Sequence, residues 1–241
     1  MKPNRMKSNH KHNNISGIKL LRRKQEFLKT LEEILDKGNI VFGDTNFFRG
    51  DWFLPGFAGS FRLSKKSINS IVKENSNFYI TPLVLEEMKA GIKKLKSEKM
   101  KKHEENFIRI LEKHVYDPKD YSLDYKIKEE VSHKIINYIM LMNSKDLLRS
   151  INLDPASWQE NTDLELVAYA IIKTISAYIR ITKKNKETKI LTYILSNDKD
   201  VKEYLSKLKQ VLKKDYPILF DNPNRIIIID KERAFYNNII R

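Results

Sequence analysis

Four short, nearly continuous apolar runs constrain this chain more than any other feature: Asn39-Ile40-Val41-Phe42-Gly43, Phe78-Tyr79-Ile80, residues 190–195 (ILTYIL) and residues 225–230 (RIIIID). None shows the apolar–polar alternation of a strand with one wet face, so each reads as a strand buried on both faces. Between them lie stretches with helical periodicity. Helix and strand in alternation predict an α/β/α sandwich with a mostly parallel central sheet.

The helices carry their own signals. From Ser16 onward Leu20, Leu21, Phe27, Leu28, Leu31, Ile34 and Leu35 recur at helical spacing, and Lys37-Gly38 ends the pattern as a C-cap. Residues 64–75 form a short helix. Thr81-Pro82 supplies an N-cap and a proline at the first helical position. The helix that follows runs through Met88 and Ile92 into the lysine-rich stretch 93–102. Residues 97–160 read as a helical insertion with Ile108, Leu111, Val131, Ile135, Ile136, Ile139, Leu147 and Leu148 turned to the core. Further helices are expected from Thr162 to about 181 and over 199–213. Residues 1–15 have no hydrophobic period and read as a disordered basic tail, and 16–241 as one domain. The His10-Lys11-His12 cluster belongs to that solvated tail rather than to a metal site.

Composition narrows the function classes. The chain has 241 residues and no cysteine, which removes disulfides and thiolate metal sites. No apolar run approaches the roughly 20 residues of a membrane helix, and no secretory apolar core is visible at the N-terminus. A cytoplasmic protein is expected; the absence of acidic residues before Glu26 also suits a mitochondrial transit peptide, but the Lys/Asn/His-rich tail does not. A formal net charge of +15 points to a polyanionic partner, nucleic acid first and an anionic membrane surface second.

Acidic residues stand where such folds bind ligands. In open parallel sheets that place is beyond the carboxyl ends of the strands. Asp44 follows the first apolar run and Asp198 the third. Alone, each would read as a helix cap or turn former. Helical phase selects two more. At about 100° per residue, Glu87 lies on the edge of the Val84, Met88, Gly91, Leu95 stripe while Glu86 points to solvent. Asp163 shares a face with Val167, Ala170, Ile171, Thr174 and Tyr178; Glu165 lies opposite, where Thr162–Glu165 matches a capping box.

The segments GDTNFF with Asp44, ITPLVLEEM with Glu87, TDLELVAYA with Asp163 and LSNDKDV with Asp198, in this order, resemble the four acidic motifs of PIN-domain nucleases. The resemblance covers roughly 39–95 and 160–230. It implies a PIN-like domain extended by the N-terminal helix and by the insertion at about 97–160, and a metal-dependent ribonuclease that cuts single-stranded RNA to leave 5′-phosphates. Asp200 matches a less constant acidic position of the family, and Ser196 stands where threonine is common. All-oxygen ligands favour Mg²⁺ or Mn²⁺ over Zn²⁺. On this reading Asp44 and Asp198 are direct ligands, Glu87 and Asp163 bind directly or through water, and Thr45, Asn46 and Ser196 orient ligands or substrate from behind.

Substrate contacts are expected from Arg49, just beyond Asp44, and from Lys93, Lys94 and Lys96, which could track a phosphate backbone or simply form a solvated face. The aromatic segment with Trp52, Phe57 and Phe61 could stack unpaired bases or pack against the insertion or a second copy of the chain. A homodimer and, for a toxin, a small inhibitory protein are the protein partners left open. Rival readings are an inactive PIN-like RNA-binding module and a flap-type DNA nuclease. A haloacid-type phosphohydrolase needs a second Asp at position 46, where Asn46 stands.

Overall fold

The computed structural model describes residues 17–49, 65–144, 155–183, 189–221 and 225–230. The basic tail, the aromatic segment with Trp52 and Phe57, and Leu147 and Leu148 lie outside these residues. Four strands, β1 (Ile40–Gly43), β2 (Phe78–Tyr79), β3 (Thr192–Leu195) and β4 (Ile226–Ile229), form one sheet in the order β2-β1-β3-β4. Every pairing is parallel, and the α/β/α layering expected from the apolar runs holds. An isolated parallel bridge, Ile80 to Val115, continues the sheet beyond β2.

Strand order and register together define the site. The chain leaves β1 for β2 on one side, and β3 returns on the other side of β1, so the order reverses between β1 and β3. Ligands of open α/β sheets bind at such reversals, outside the carboxyl ends of the strands. Gly43 pairs with Leu195 and Leu195 with Ile229. The next residues, Asp44 and Ser196, therefore emerge side by side on one rim.

Helices follow the expected order: α1 (Gly17–Asp36), α2 (Thr45–Arg49), α3 (Lys65–Glu74), α4 (Pro82–Lys93), α5 (Glu98–Leu111), α6 (Ser122–Ser144), α7 (Thr162–Thr182), α8 (Lys199–Leu212) and α9 (Ile218–Asp221). Gly38 ends α1 at φ +76°, a conformation that glycine enters without strain. Thr81 and Pro82 open α4, with the Thr81 hydroxyl accepting from Val84 N–H. The short α2 was not foreseen. Nor does α4 continue into the lysine-rich stretch: it stops at Lys93, and Ser97 caps a new helix by accepting from Met100 N–H. A serine competes for backbone N–H groups, which favours a helix start over a helix interior.

Helix α7 is the centre of the helical layers. Every residue from Leu164 to Ser176 is buried, because α7 packs on β1, β3 and β4 and also on α4, α6 and α8. Over that span it has no solvent side from which an apolar stripe could be told apart. Helix α6 attaches to it through buried Asp124, which accepts from Tyr116 Oη (2.8 Å), from Arg180 Nη2 (2.7 Å) and from Ser176 Oγ. Lys173 Nζ stands 3.7 Å from the same carboxylate, boxed by the rings of Tyr79, Tyr116 and Tyr121. Burial pushes the Lys173 ammonium below its ordinary range, and Asp124 pulls the other way.

Candidate metal centre

Asp44 begins where β1 runs out. Gly43 before it has no room for a side chain: a Cβ would lie 2.6 Å from the ring of Phe48 and 3.0 Å from Phe78. The two rings close over the strand end, and Phe47 and Phe48 bury α2 against the core. Asp44 is 3% exposed. Its Oδ1 accepts from Thr45 N–H (2.6 Å), and its Oδ2 from Ser196 Oγ (2.6 Å) and Asn46 Nδ2 (2.5 Å). Burial outweighs these hydrogen bonds and raises its pKa to about 6, with Glu87 and Asp198 pushing in the same direction.

Glu87 faces the cleft from α4 with both oxygens engaged. Thr45 Oγ1 donates to Oε2 (2.6 Å) and Thr162 Oγ1 to Oε1 (2.9 Å). These hydroxyls tie the start of α2 and the start of α7 to one carboxylate. Asp198 caps α8 by accepting from Asp200 N–H (3.0 Å), and its own N–H donates to Ser196 Oγ (3.0 Å). Cap and site residue are thus the same group. Asp163 is half-buried, and its pKa rises to about 7, first through burial and then through Asp44, Asp198, Asp200 and Glu87. Asp163, Asp198 and Asp200 each bring a carboxylate oxygen within 4.8 Å of the others.

Around these groups lies a cleft of about 390 Å³, lined by Asp44, Thr45, Asn46, Arg49, Glu87, Asp163 and Asp198 and by Glu160, Asn161 and Thr162. All four carboxylates picked out by strand ends and helical phase meet in it. Ser196 lies behind Asp44, and Asp200 joins through the trio. Arg49 reaches across α4 and donates to the Glu87 backbone oxygen (2.5 Å). Lys93, Lys94 and Lys96 are exposed at and beyond the end of α4, outside the cleft lining.

Two expectations are corrected. Thr162 is not the cap of α7: Asn161 is, accepting from Leu164 N–H at 2.8 Å. That frees the Thr162 hydroxyl for Glu87, a contact with no periodicity to reveal it. Glu165 does not close a capping box either. It is buried and accepts from Leu83 N–H (3.1 Å) at the start of α4, where unpaired N–H groups and the helix dipole favour an anion. Burial nevertheless raises its pKa to about 7. Glu86 is exposed, as its phase implied.

Asp163, Asp198 and Asp200 could hold a metal ion. The fit rests on donor chemistry: the ligand atoms are all carboxylate oxygens, and the chain has no cysteine. Burial raises Asp163 first, and the repulsion from neighbouring carboxylates that adds to it is what a cation would relieve. Compared with protein-family models, curated proteins and solved structures, the chain matches none of them.

Proposed function

We propose that this protein is a divalent-metal-dependent nuclease of PIN-like type, acting on single-stranded RNA with Mg²⁺ or Mn²⁺. The observation that carries this reading is the Asp163–Asp198–Asp200 trio set beside Asp44 and Glu87 at the strand-order reversal of a parallel sheet. Carboxylates so crowded repel a phosphodiester unless a cation lies between them. A bound Mg²⁺ or Mn²⁺ supplies the Lewis acidity and the activated water for hydrolysis.

The chain's own residues hold that arrangement in place. Ser196 and Asn46 hold Asp44 Oδ2, Thr45 and Thr162 hold Glu87, and the turn of α8 aims Asp198 and Asp200 at Asp163. Asp44 and Asp198 are the proposed direct ligands, with Asp163 and Asp200 completing the ion's oxygen shell and Glu87 orienting water or substrate. Arg49 meets a phosphate at the cleft, and the exposed Lys93, Lys94 and Lys96 hold the strand farther out. The net charge of +15 supports a nucleic-acid substrate, since it draws polyanions over a distance that the acidic cleft alone would not. Among the described residues no helix is long and apolar enough to cross a membrane.

The test is incubation of the protein with end-labelled single-stranded RNA and DNA in Mn²⁺, in Mg²⁺ and in chelator. Metal-dependent cleavage of RNA, lost in Asp44→Asn and Asp163→Asn, is expected. Cleavage that persists in chelator, or no cleavage of either strand with either ion, overturns the proposal.

A further inference from the structure

Among the described residues the cleft is lined by five carboxylates, Asp44, Glu87, Glu160, Asp163 and Asp198, and by one cation, Arg49. Its guanidinium lies across α4, with Nη2 2.5 Å from the Glu87 backbone oxygen. It can lie there because residue 91, one turn along the same helix, is glycine. A Cβ on Gly91 would fall 2.9 Å from Arg49 Nη2 and 3.5 Å from Cζ and Nε. Glycine is otherwise a poor choice in a helix, costing up to roughly 1 kcal/mol relative to alanine, even in the last turn of α4 where Gly91 stands.

We propose that Gly91 is a positioning residue: by leaving its place on α4 empty, it seats Arg49 as the guanidinium clamp on a substrate phosphate at the mouth of the acidic cleft. The inference rests on the nuclease reading above and adds the device that presents the clamp. One Nη2 hydrogen is committed to the Glu87 carbonyl, which fixes the fork, and among the described residues nothing else takes the other four N–H donors, which can meet phosphate oxygens. Held in this way, the fork loses little freedom on binding. In a site where nearly all other charge repels the substrate, the placement of one guanidinium decides where a phosphate can sit.

A methyl group at position 91 meets only the far end of a flexible side chain, so Gly91→Ala displaces Arg49 without disturbing the helix backbone. Stability and function should therefore move in opposite directions. Gly91→Ala is expected to melt at or above the wild-type temperature while binding a fluorescein-labelled 12-nucleotide RNA roughly tenfold more weakly, measured by anisotropy in Ca²⁺, an oxygen-binding ion that offsets the carboxylate charge of the cleft. Arg49→Gln should match that loss and lower the slope of log affinity against log salt by about 0.7. Gly91→Ala added to Arg49→Gln should weaken binding no further, and Arg49→Lys should keep the salt slope but not the affinity. Mn²⁺-induced thermal stabilisation should be unchanged in all of these variants. Wild-type RNA affinity in both Gly91→Ala and Arg49→Gln overturns the clamp while leaving the nuclease reading intact. Independent, additive losses in the double variant overturn the role of Gly91. A wild-type protein that cleaves nothing in Mn²⁺ or Mg²⁺ overturns the nuclease reading itself.

Discussion

Replacing Asp163 by asparagine should make the metal-free protein more stable while removing its response to divalent ions. In the folded chain the Asp163 carboxyl has a pKa of about 7 against an ordinary 3.8, because burial and four neighbouring carboxylates oppose its charge. A rise of that size corresponds to about 4 kcal/mol. Asp163 is only half-buried, and screening by solvent reduces the effect to about 1–2 kcal/mol. The sign follows from linkage. The folded state holds this proton more tightly than the unfolded state, so the group's contribution is intact below about pH 4 and is lost as pH rises through about 7. At pH 8 in chelator, Asp163→Asn should therefore melt about 3–6 °C above wild type. The gap should close as the pH is lowered toward 4. With millimolar Mn²⁺ at pH 8 the order should reverse, since wild type gains the binding free energy of the ion and the variant gains far less. Scanning calorimetry in chelator and in Mn²⁺ at both pH values provides the test. A variant less stable than wild type in chelator at pH 8, with the wild-type pH dependence, would refute the reasoning, because the carboxylate would then be favourably placed without a cation.

Asp44→Asn should abolish metal-dependent cleavage while circular dichroism stays native, because the amide keeps the shape of the carboxylate but not its charge. Glu165→Ala should cost about 1 kcal/mol in chemical denaturation by removing the acceptor of the half-buried Leu83 N–H, whereas Glu165→Gln keeps an acceptor there and should stay near wild type in stability and activity. Asp124→Ala should cost about 3–5 kcal/mol, since it strands the Lys173 ammonium among three tyrosine rings; a loss under 1 kcal/mol would mean the network contributes little. Alanine at Lys93, Lys94 and Lys96 together should flatten the salt dependence of RNA binding equally for different sequences, and an unchanged slope would return these lysines to an ordinary solvated face.

Local chemistry determined much of this protein. The nearly continuous apolar runs around residues 41, 79, 193 and 227 could be satisfied only as strands covered on both faces, and Thr81-Pro82 and Gly38 placed a helix start and a helix end through their own backbone preferences. The ends of those runs were enough to pick out Asp44 and Asp198, and phase along α4 was enough to separate Glu87 from Glu86, since α4 has one face toward solvent. The same device failed for Glu165 because α7 has no such face from Leu164 to Ser176: packing on three strands and three helices buries that span all round, and a carboxylate there is placed by what it meets across space. The partners of Glu87, Thr45 and Thr162, lie 42 and 75 residues away along the chain and come together only once β1, α4 and α7 have packed. The pairing of Asp44 with Ser196 across 152 residues likewise depends on the parallel register of β1 and β3. Which residues carry charge is written locally in the chain, but how deeply they are buried and how far apart they stand is set by strand register and helix packing, and it is that burial first, and that spacing second, that raises Asp163, while the spacing brings its oxygen into reach of Asp198 and Asp200.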